Sequence, residues 1–324
     1  MDHSRFRRWR LPTVLAFTAW SAARIAGACD VCAVYTATEQ QDRRSGFRIS
    51  VAEQYTRFDT RRLDGDVIAN PGEHENSAIT QVVFGYQFTP RFGLQLNLPI
   101  ISRTFQRIED GVLRHGDATG FGDLSLLANV LVVSNVTENS VFLATALGGL
   151  KLPSGNPSRL HEELSEGPES TNLNKVSGLH GHDLALGSGS VDGIVGGQIF
   201  WSYRRFFLTA GGQWSIRTEG AIGYQYADDL TWQTGPGAYL LLEHDYSLGF
   251  QTVFSGETKG KDSLHGVPAD DTGMTALYLG PNFRFSWGSS LNADIGADLP
   301  VLQNNTSLQL VPDYRLRGGV TWRF

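Results

Sequence analysis

The sequence predicts an all-β chain closed as a transmembrane antiparallel up-and-down β-barrel of about 12 strands, with short periplasmic turns and long extracellular loops. Three observations carry this expectation. The chain opens on an export signal, its later segments alternate apolar and polar residues with period two, and its polar connections alternate long and short.

The signal comes first. Arg5, Arg7, Arg8 and Arg10 form a basic start, "LPTVLAFTAWSAA" is a short apolar run, and "AGA" before Cys29 suits small-residue cleavage, so residues 1–28 read as an export signal. The run is too short for a membrane helix, and Arg24 interrupts its continuation. An acylated Cys29 is disfavoured because Ala26 stands where a larger aliphatic residue is usual in lipoprotein signals. No later segment approaches the roughly 18 uninterrupted apolar residues that a spanning helix needs, so an exported protein of this composition enters a membrane only as a barrel.

The alternation is clearest at the carboxyl terminus. In "YRLRGGVTWRF", Tyr314, Leu316, Val320, Trp322 and Phe324 share one parity, and Arg315, Arg317, Thr321 and Arg323 share the other. In "LYLGPNFRFSW", Leu277, Leu279, Phe283, Phe285 and Trp287 oppose Tyr278, Asn282, Arg284 and Ser286. Leu94, Leu96, Leu98 and Ile100 alternate with Gln95 and Asn97. Leu208, Ala210, Trp214 and Ile216 alternate with Thr209, Gln213 and Ser215. Glu53 breaks the parity of the first strand, and "AYLLLE" reads on either face.

A soluble sandwich also alternates, so the connections decide. Short links fall at "FTPRFG", "SNVTENS", "SYRRFF", "EHDYS" and "SWGSS". Long ones occupy 58–76, 107–119, 153–182, 217–228, 257–272 and 300–313. The strands between them are expected at 46–57, 77–88, 92–106, 120–133, 140–151, 184–203, 205–216, 229–242, 245–256, 274–287, 289–299 and 314–324. An even number returns both ends to the periplasm. The expected organisation is a signal at 1–28, a periplasmic segment at 29–45 and an outer-membrane barrel at 46–324, in a Gram-negative bacterium.

On this reading Trp287, Trp322 and Phe324 belong to an aromatic girdle, and Asp123, Arg284, Arg315 and Arg317 face the lumen, where water or countercharges satisfy them. A final aromatic resembles the signal by which such barrels are recognised by their assembly machinery. Expected partners are outer-membrane lipids, lipopolysaccharide, that machinery and a small organic solute. A net charge of -6 supplies no basic excess for nucleic acid.

The segments "GFGDLSLLANVLV", "FLATALGGLKLPSGNP" and "LALGSGSVDGIVGGQIFW" resemble the outer-membrane family named for the MetA pathway of phenol degradation. The matching positions are Gly122, Asp123 and Leu124, then Leu152, Pro153, Ser154 and Gly155, then Gly187, Gly189 and Ser190, and the likeness extends over 46–324. The resemblance implies a barrel related to transporters of hydrophobic compounds and supplies no catalytic residues.

Two features stand apart. Cys29 and Cys32 in "CDVCAVYTATEQQ" are most simply a local disulfide in an oxidising periplasm. Haem attachment fails because Ala33 stands where histidine is required. A periplasm-facing cysteine pair also suits docking of a redox partner, so a structural or docking barrel without transport of its own is the alternative to a channel. The 153–182 loop holds His161, Glu162, Glu163, Glu166, Glu169, His180 and His182, with "HGHD" the best local candidate for a divalent cation. Its spacing matches no recognised metal motif, so a solvated loop with no metal and no cofactor is expected. An enzyme is not expected either. Around Ser188 the glycines of a nucleophile elbow are replaced by Leu186 and Ser190, and His244 falls in a short turn.

Overall fold

The computed structural model describes residues 45–164 and 173–324. The export signal, Cys29 and Cys32, and Glu166 and Glu169 lie outside the described residues. Among the described residues twelve long strands form one wall: β1 (Gly46–Leu63), β2 (His74–Thr89), β3 (Phe92–Glu109), β4 (Leu124–Val136), β5 (Ser140–Leu152), β6 (Asp192–Tyr203), β7 (Phe206–Ile216), β8 (Asp229–Leu242), β9 (Tyr246–Lys259), β10 (Met274–Trp287), β11 (Leu291–Asn305) and β12 (Leu308–Arg323). Each pairs antiparallel with the next, and β12 returns to β1 with Arg48 opposite Arg323 and Leu63 opposite Leu308. The Phe324 amide closes the ring on the Phe47 carbonyl at 2.9 Å. Closure removes the sheet edges that lipid could not satisfy.

Period-two alternation sets which side chains face outward. On β10, Leu277, Leu279, Phe283 and Phe285 turn out while Tyr278 and Asn282 are buried inside. On β12, Leu316, Val320 and Trp322 are exposed while Arg315 and Thr321 are buried. The rim with the short turns also carries both ends of the barrel and an aromatic belt: Phe47 lies 6.1 Å from Phe324, and Phe88 packs between Tyr86 and Phe92. Trp287, Trp322 and Phe324 are exposed along the same rim.

Glu53 is the exception on the outer face. It shares its parity with Phe47, Ile49 and Val51, accepts a hydrogen bond from Thr80 and stands opposite Gly318. Six residues up a tilted strand from Phe47 place it about 15 Å above the aromatic belt, near the middle of the apolar band. Replacing it by valine is expected to stabilise the barrel by about 1–2 kcal/mol in unfolding from lipid vesicles, because a lipid-facing carboxylate costs most at that depth. An unchanged or lowered unfolding midpoint would place Glu53 against something other than acyl chains.

Three expectations need correction. Residues 184–191 are not strand: β6 starts at Asp192, and the chain before it lies inside the barrel. The 153–182 connection is not a solvated surface loop, since Leu160, Leu179 and His182 are buried. Residues 300–313 are not a long loop either. β11 and β12 run on to a tight turn at Thr306 and Ser307, so five of the six connections on that rim are long. Polar residues with Pro300 and Pro312 imitate a loop, and the imitation has a structural counterpart. The β11–β12 ladder ends at Asp298 opposite Arg315, and above that point the two strands are not laddered. Proline cannot donate to a ladder and so tends to sit where pairing is absent.

Candidate functional site

A barrel of eight strands has an interior that side chains nearly fill, and width grows with strand number, so twelve strands leave space that something must occupy. Here the occupant is the β5–β6 connection. It leaves the wall after Leu152, passes through a 3₁₀ turn (Ser158–Leu164) and a short helix α1 (Gly181–Leu184), and rejoins at Asp192. Leu186 descends onto the inward faces of Ile79 and Ile101, and Leu179 and Leu184 pack on Phe105. Leu160 and Ala185 join Tyr224 and Tyr226 from the β7–β8 connection.

Burying a loop leaves backbone groups that need partners, and the wall supplies them at three anchors. At the first, Asp123 Oδ1 accepts from the Gly155 amide at 2.9 Å, and Oδ2 accepts from the Ser188 amide, the Ser188 hydroxyl and Lys151 Nζ at 2.9–3.0 Å. Lys151 continues to Asp192 at 2.7 Å and Asp192 to Arg217 at 2.9 Å. Gly155 and Gly187 touch so closely that a Cβ on Gly187 would lie 2.6 Å from the Gly155 carbonyl carbon. Ser154 Oγ donates to the Gly122 carbonyl and accepts from the Leu124 amide. The three motif segments, separated in sequence, therefore meet as one latch, with glycines where no side chain fits.

At the second anchor, buried Arg61 and Glu73 pair at 2.8 Å. Arg61 donates to the Leu173 and Val176 carbonyls, and Glu73 accepts from Ser177 and Gly178. At the third, Arg103 pairs with Glu75 at 3.0 Å and donates to the Ala185 carbonyl. The Gly178 carbonyl also receives the Leu310 amide at 2.7 Å, so the inward loop covers the unladdered stretch of β12 from inside.

Below the loop lies a cavity of about 190 Å³. Its charged groups are paired across strands: Arg315 grips Glu257 with both terminal nitrogens (2.6 and 3.1 Å) while stacking 4.2 Å over Tyr278, and Arg317 holds Asp298 at 2.7 Å. Arg284 stands opposite Asp294 in the β10–β11 register and lies 5.9 Å from the Phe207 ring. It lines both this cavity and a second one of about 200 Å³ at the short-turn rim, which is walled by Phe200, Phe207 and Tyr239. Between the charges sit amides. Both ends of the Gln213 amide, the Gln251 oxygen and the Asn282 oxygen are buried without hydrogen-bond partners among the described residues. The same cavity is also lined by Ala52, Ile79, Val253 and the Tyr278 ring, so its lining mixes apolar surface with amides and paired charges.

Of the residues singled out from sequence, Arg284, Arg315 and Arg317 are at the cavity, whereas Asp123 serves the latch above it. His244 sits fully exposed on the 243–245 turn beside Asp245. Ser188 is part of the latch: the Lys151 ammonium beside it is engaged by two carboxylates, and among the described residues no histidine contacts its hydroxyl. The Gln213, Gln251 and Asn282 posts and the Arg61 and Arg103 anchors were not singled out. Inward parity was their only signal, and parity does not say which inward residues meet a cavity.

His161, Glu162, Glu163, His180 and His182 lie on the inward loop. Burial opposes charging Glu162, but Arg159 and Arg107 at 2.7 Å outweigh it and hold its pKa below the usual carboxylate value. Burial likewise disfavours the charged form of His182, yet Asp183 and Glu163 outweigh it and keep its pKa well above that of free imidazole.

No family model matches the sequence, and no curated protein does. Among solved structures, the chain is similar to an outer membrane channel from Pseudomonas putida F1 at 15% identity, over 90% of this chain and 100% of that one, with a TM-score of 0.60. It is also similar to the β domain of the Bordetella autotransporter Brka (8% identity, 87% and 100% coverage, TM-score 0.45) and the translocator domain of the autotransporter NalP from Neisseria meningitidis (12%, 88% and 91%, 0.42). The first likeness shows the outer-membrane barrel fold, and the other two are too distant to add to it.

Proposed function

We propose that this protein is an outer-membrane channel for small organic compounds with a hydrophobic or aromatic body and one polar end. The observation that carries the reading is the mixed lining of the cavity. A pore for hydrated solutes is served by polar walls all round. This cavity instead sets Ile79, Val253 and the Tyr278 ring beside the Gln213, Gln251 and Asn282 amides, the combination that holds an amphipathic molecule by burying its body and hydrogen-bonding its tip. The unladdered stretch between β11 and β12 becomes a lateral way out for such a solute when the inward loop that covers it from inside shifts away. The likeness to an outer membrane channel supports a channel, and the motif resemblance to barrels named for phenol degradation supports the class of cargo. On this reading the short-turn rim faces the periplasm and the inward loop guards the extracellular side.

The test is flux into liposomes carrying the purified barrel. A phenol-like aromatic should enter faster than a sugar of equal size. Gln213→Leu should weaken retention of the hydroxylated aromatic by about tenfold, the value of one hydrogen bond with a buried partner, while leaving its non-hydroxylated analogue unchanged. Equal entry of sugars and aromatics would overturn the reading in favour of a general porin.

A further inference from the structure

The inward loop carries a cluster that the transport reading does not use. His180 and His182 flank Asp183 in and beside α1. One ring nitrogen of each histidine and a carboxylate oxygen of Asp183 lie within 4.8 Å of one another. The distances are specific: His182 Nε2 is 3.3 Å from Asp183 Oδ1, and His180 Nδ1 is 3.9 Å from Asp183 Oδ2. The far nitrogens face other carboxylates. His182 Nδ1 is 3.0 Å from Glu163 Oε1, and His180 Nε2 is 3.5 Å from Asp271 Oδ2.

We propose that His180 Nδ1, His182 Nε2 and Asp183 form a binding site for a divalent transition cation, of which zinc is the best fit, with Glu163 and Asp271 orienting the two imidazoles. Each histidine aims its outer nitrogen at a carboxylate. Such a carboxylate keeps the proton on the outer nitrogen and leaves the inner one to a cation that displaces its proton, the arrangement by which ligating histidines are usually supported. The two inner nitrogens both face Asp183, His182 Nε2 on Oδ1 and His180 Nδ1 on Oδ2. Acceptors do not gather without a donor or a cation among them. A proton on His182 serves one of the two contacts. It leaves His180 Nδ1 buried with no hydrogen-bond partner, because 3.9 Å is too long for a hydrogen bond.

Spacing and chemistry agree with the choice of ion. Zinc bonds of 2.0–2.2 Å in a tetrahedron hold neighbouring ligand atoms about 3.3 Å apart. The His182–Asp183 contact is already 3.3 Å, whereas the His180–Asp183 contact is 3.9 Å and the three atoms span up to 4.8 Å, so His180 moves inward on binding and a water completes the shell. Two imidazoles and one carboxylate favour zinc and its first-row neighbours over calcium or magnesium, which take oxygen donors. The site has an entrance, since the Asp183 side chain is 34% exposed while those of both histidines are buried. A bound cation ties α1 to the 3₁₀ turn through Glu163 and to the β9–β10 connection through Asp271, and so braces the inward loop independently of the Asp123 latch.

The test uses untagged, chelator-stripped barrel in detergent, titrated with zinc chloride by calorimetry. One equivalent per barrel is expected. Asp183→Asn or His180→Ala should lower the affinity at least about 100-fold, and Asp271→Asn by about tenfold, the usual scale for a supporting carboxylate. Zinc uptake by the wild-type barrel no greater than that of His180→Ala overturns the proposal. Should the variants misfold, X-ray absorption at the zinc edge of the loaded wild-type protein decides. Scattering from two imidazoles supports the site. Oxygen-only scattering overturns it, as does sulfur scattering from Cys29 and Cys32.

Discussion

Replacing residues 156–186 with a short Gly-Ser bridge should turn a barrel that conducts little into one with discrete ion steps in planar bilayers. The excision is geometrically mild, because Gly155 and Gly187 already touch and a few residues span the cut. What leaves with the segment is the buried Leu160, Leu179, Leu184, Ala185 and Leu186, together with α1. What remains is a closed twelve-strand wall with an interior wider than its own side chains fill. Unchanged conductance would locate the barrier lower down, at the Phe200, Phe207 and Tyr239 group beside Arg284, and Phe207→Ala in the shortened barrel would then be the change that opens it.

Asp123→Ala should release the same segment without removing it. One carboxylate takes four donors from three residues in two other chain segments there, and all of its neighbours are buried. Its loss leaves Lys151 with Asp192 as its one carboxylate beside the Ser188 hydroxyl, and strands the Gly155 and Ser188 amides. Removing one partner of a buried ion pair costs about 3–5 kcal/mol, so the unfolding midpoint in lipid should fall clearly. Protease should now cut within 157–190, where the wild-type barrel resists. Adding Lys151→Met should recover part of the loss, since an apolar replacement of both partners removes the uncompensated charge. A variant that keeps wild-type stability and protease resistance would show that the Arg61 and Arg103 anchors suffice to hold the loop.

How much of this was legible beforehand depends on the range of the interaction. β8 and β10 were expected at the limits they have, 229–242 and 274–287. The inward arginines and outward aromatics of β12 were likewise expected from parity. Asp64-Gly65 and Asp110-Gly111 carried a hairpin signal that was passed over. Both residues of each pair adopt positive φ, as two-residue hairpin turns require, so β1 reaches Leu63 and the chain at Val112–Phe121 folds back on β3 instead of forming a loose loop. The GDL, LPSG and GSGS segments were recognised as a motif, but nothing in their spacing said that they touch.

The sequence by itself determined the closed sheet. In lipid every strand must bury its backbone against a neighbour and show apolar side chains outward, and both demands are written residue by residue at period two. Only the tertiary structure decided what fills the barrel. A loop rich in His, Glu and Gly reads as a solvated surface, because burial of its polar groups depends on partners 32 to 115 residues away. Asp123, Arg61, Glu73 and Arg103 provide those partners only once the wall has closed around them. The same closure brings Glu163 and Asp271 to the two histidines in and beside α1, and sets Ile79, Val253 and Tyr278 around the same cavity as Gln251 and Asn282.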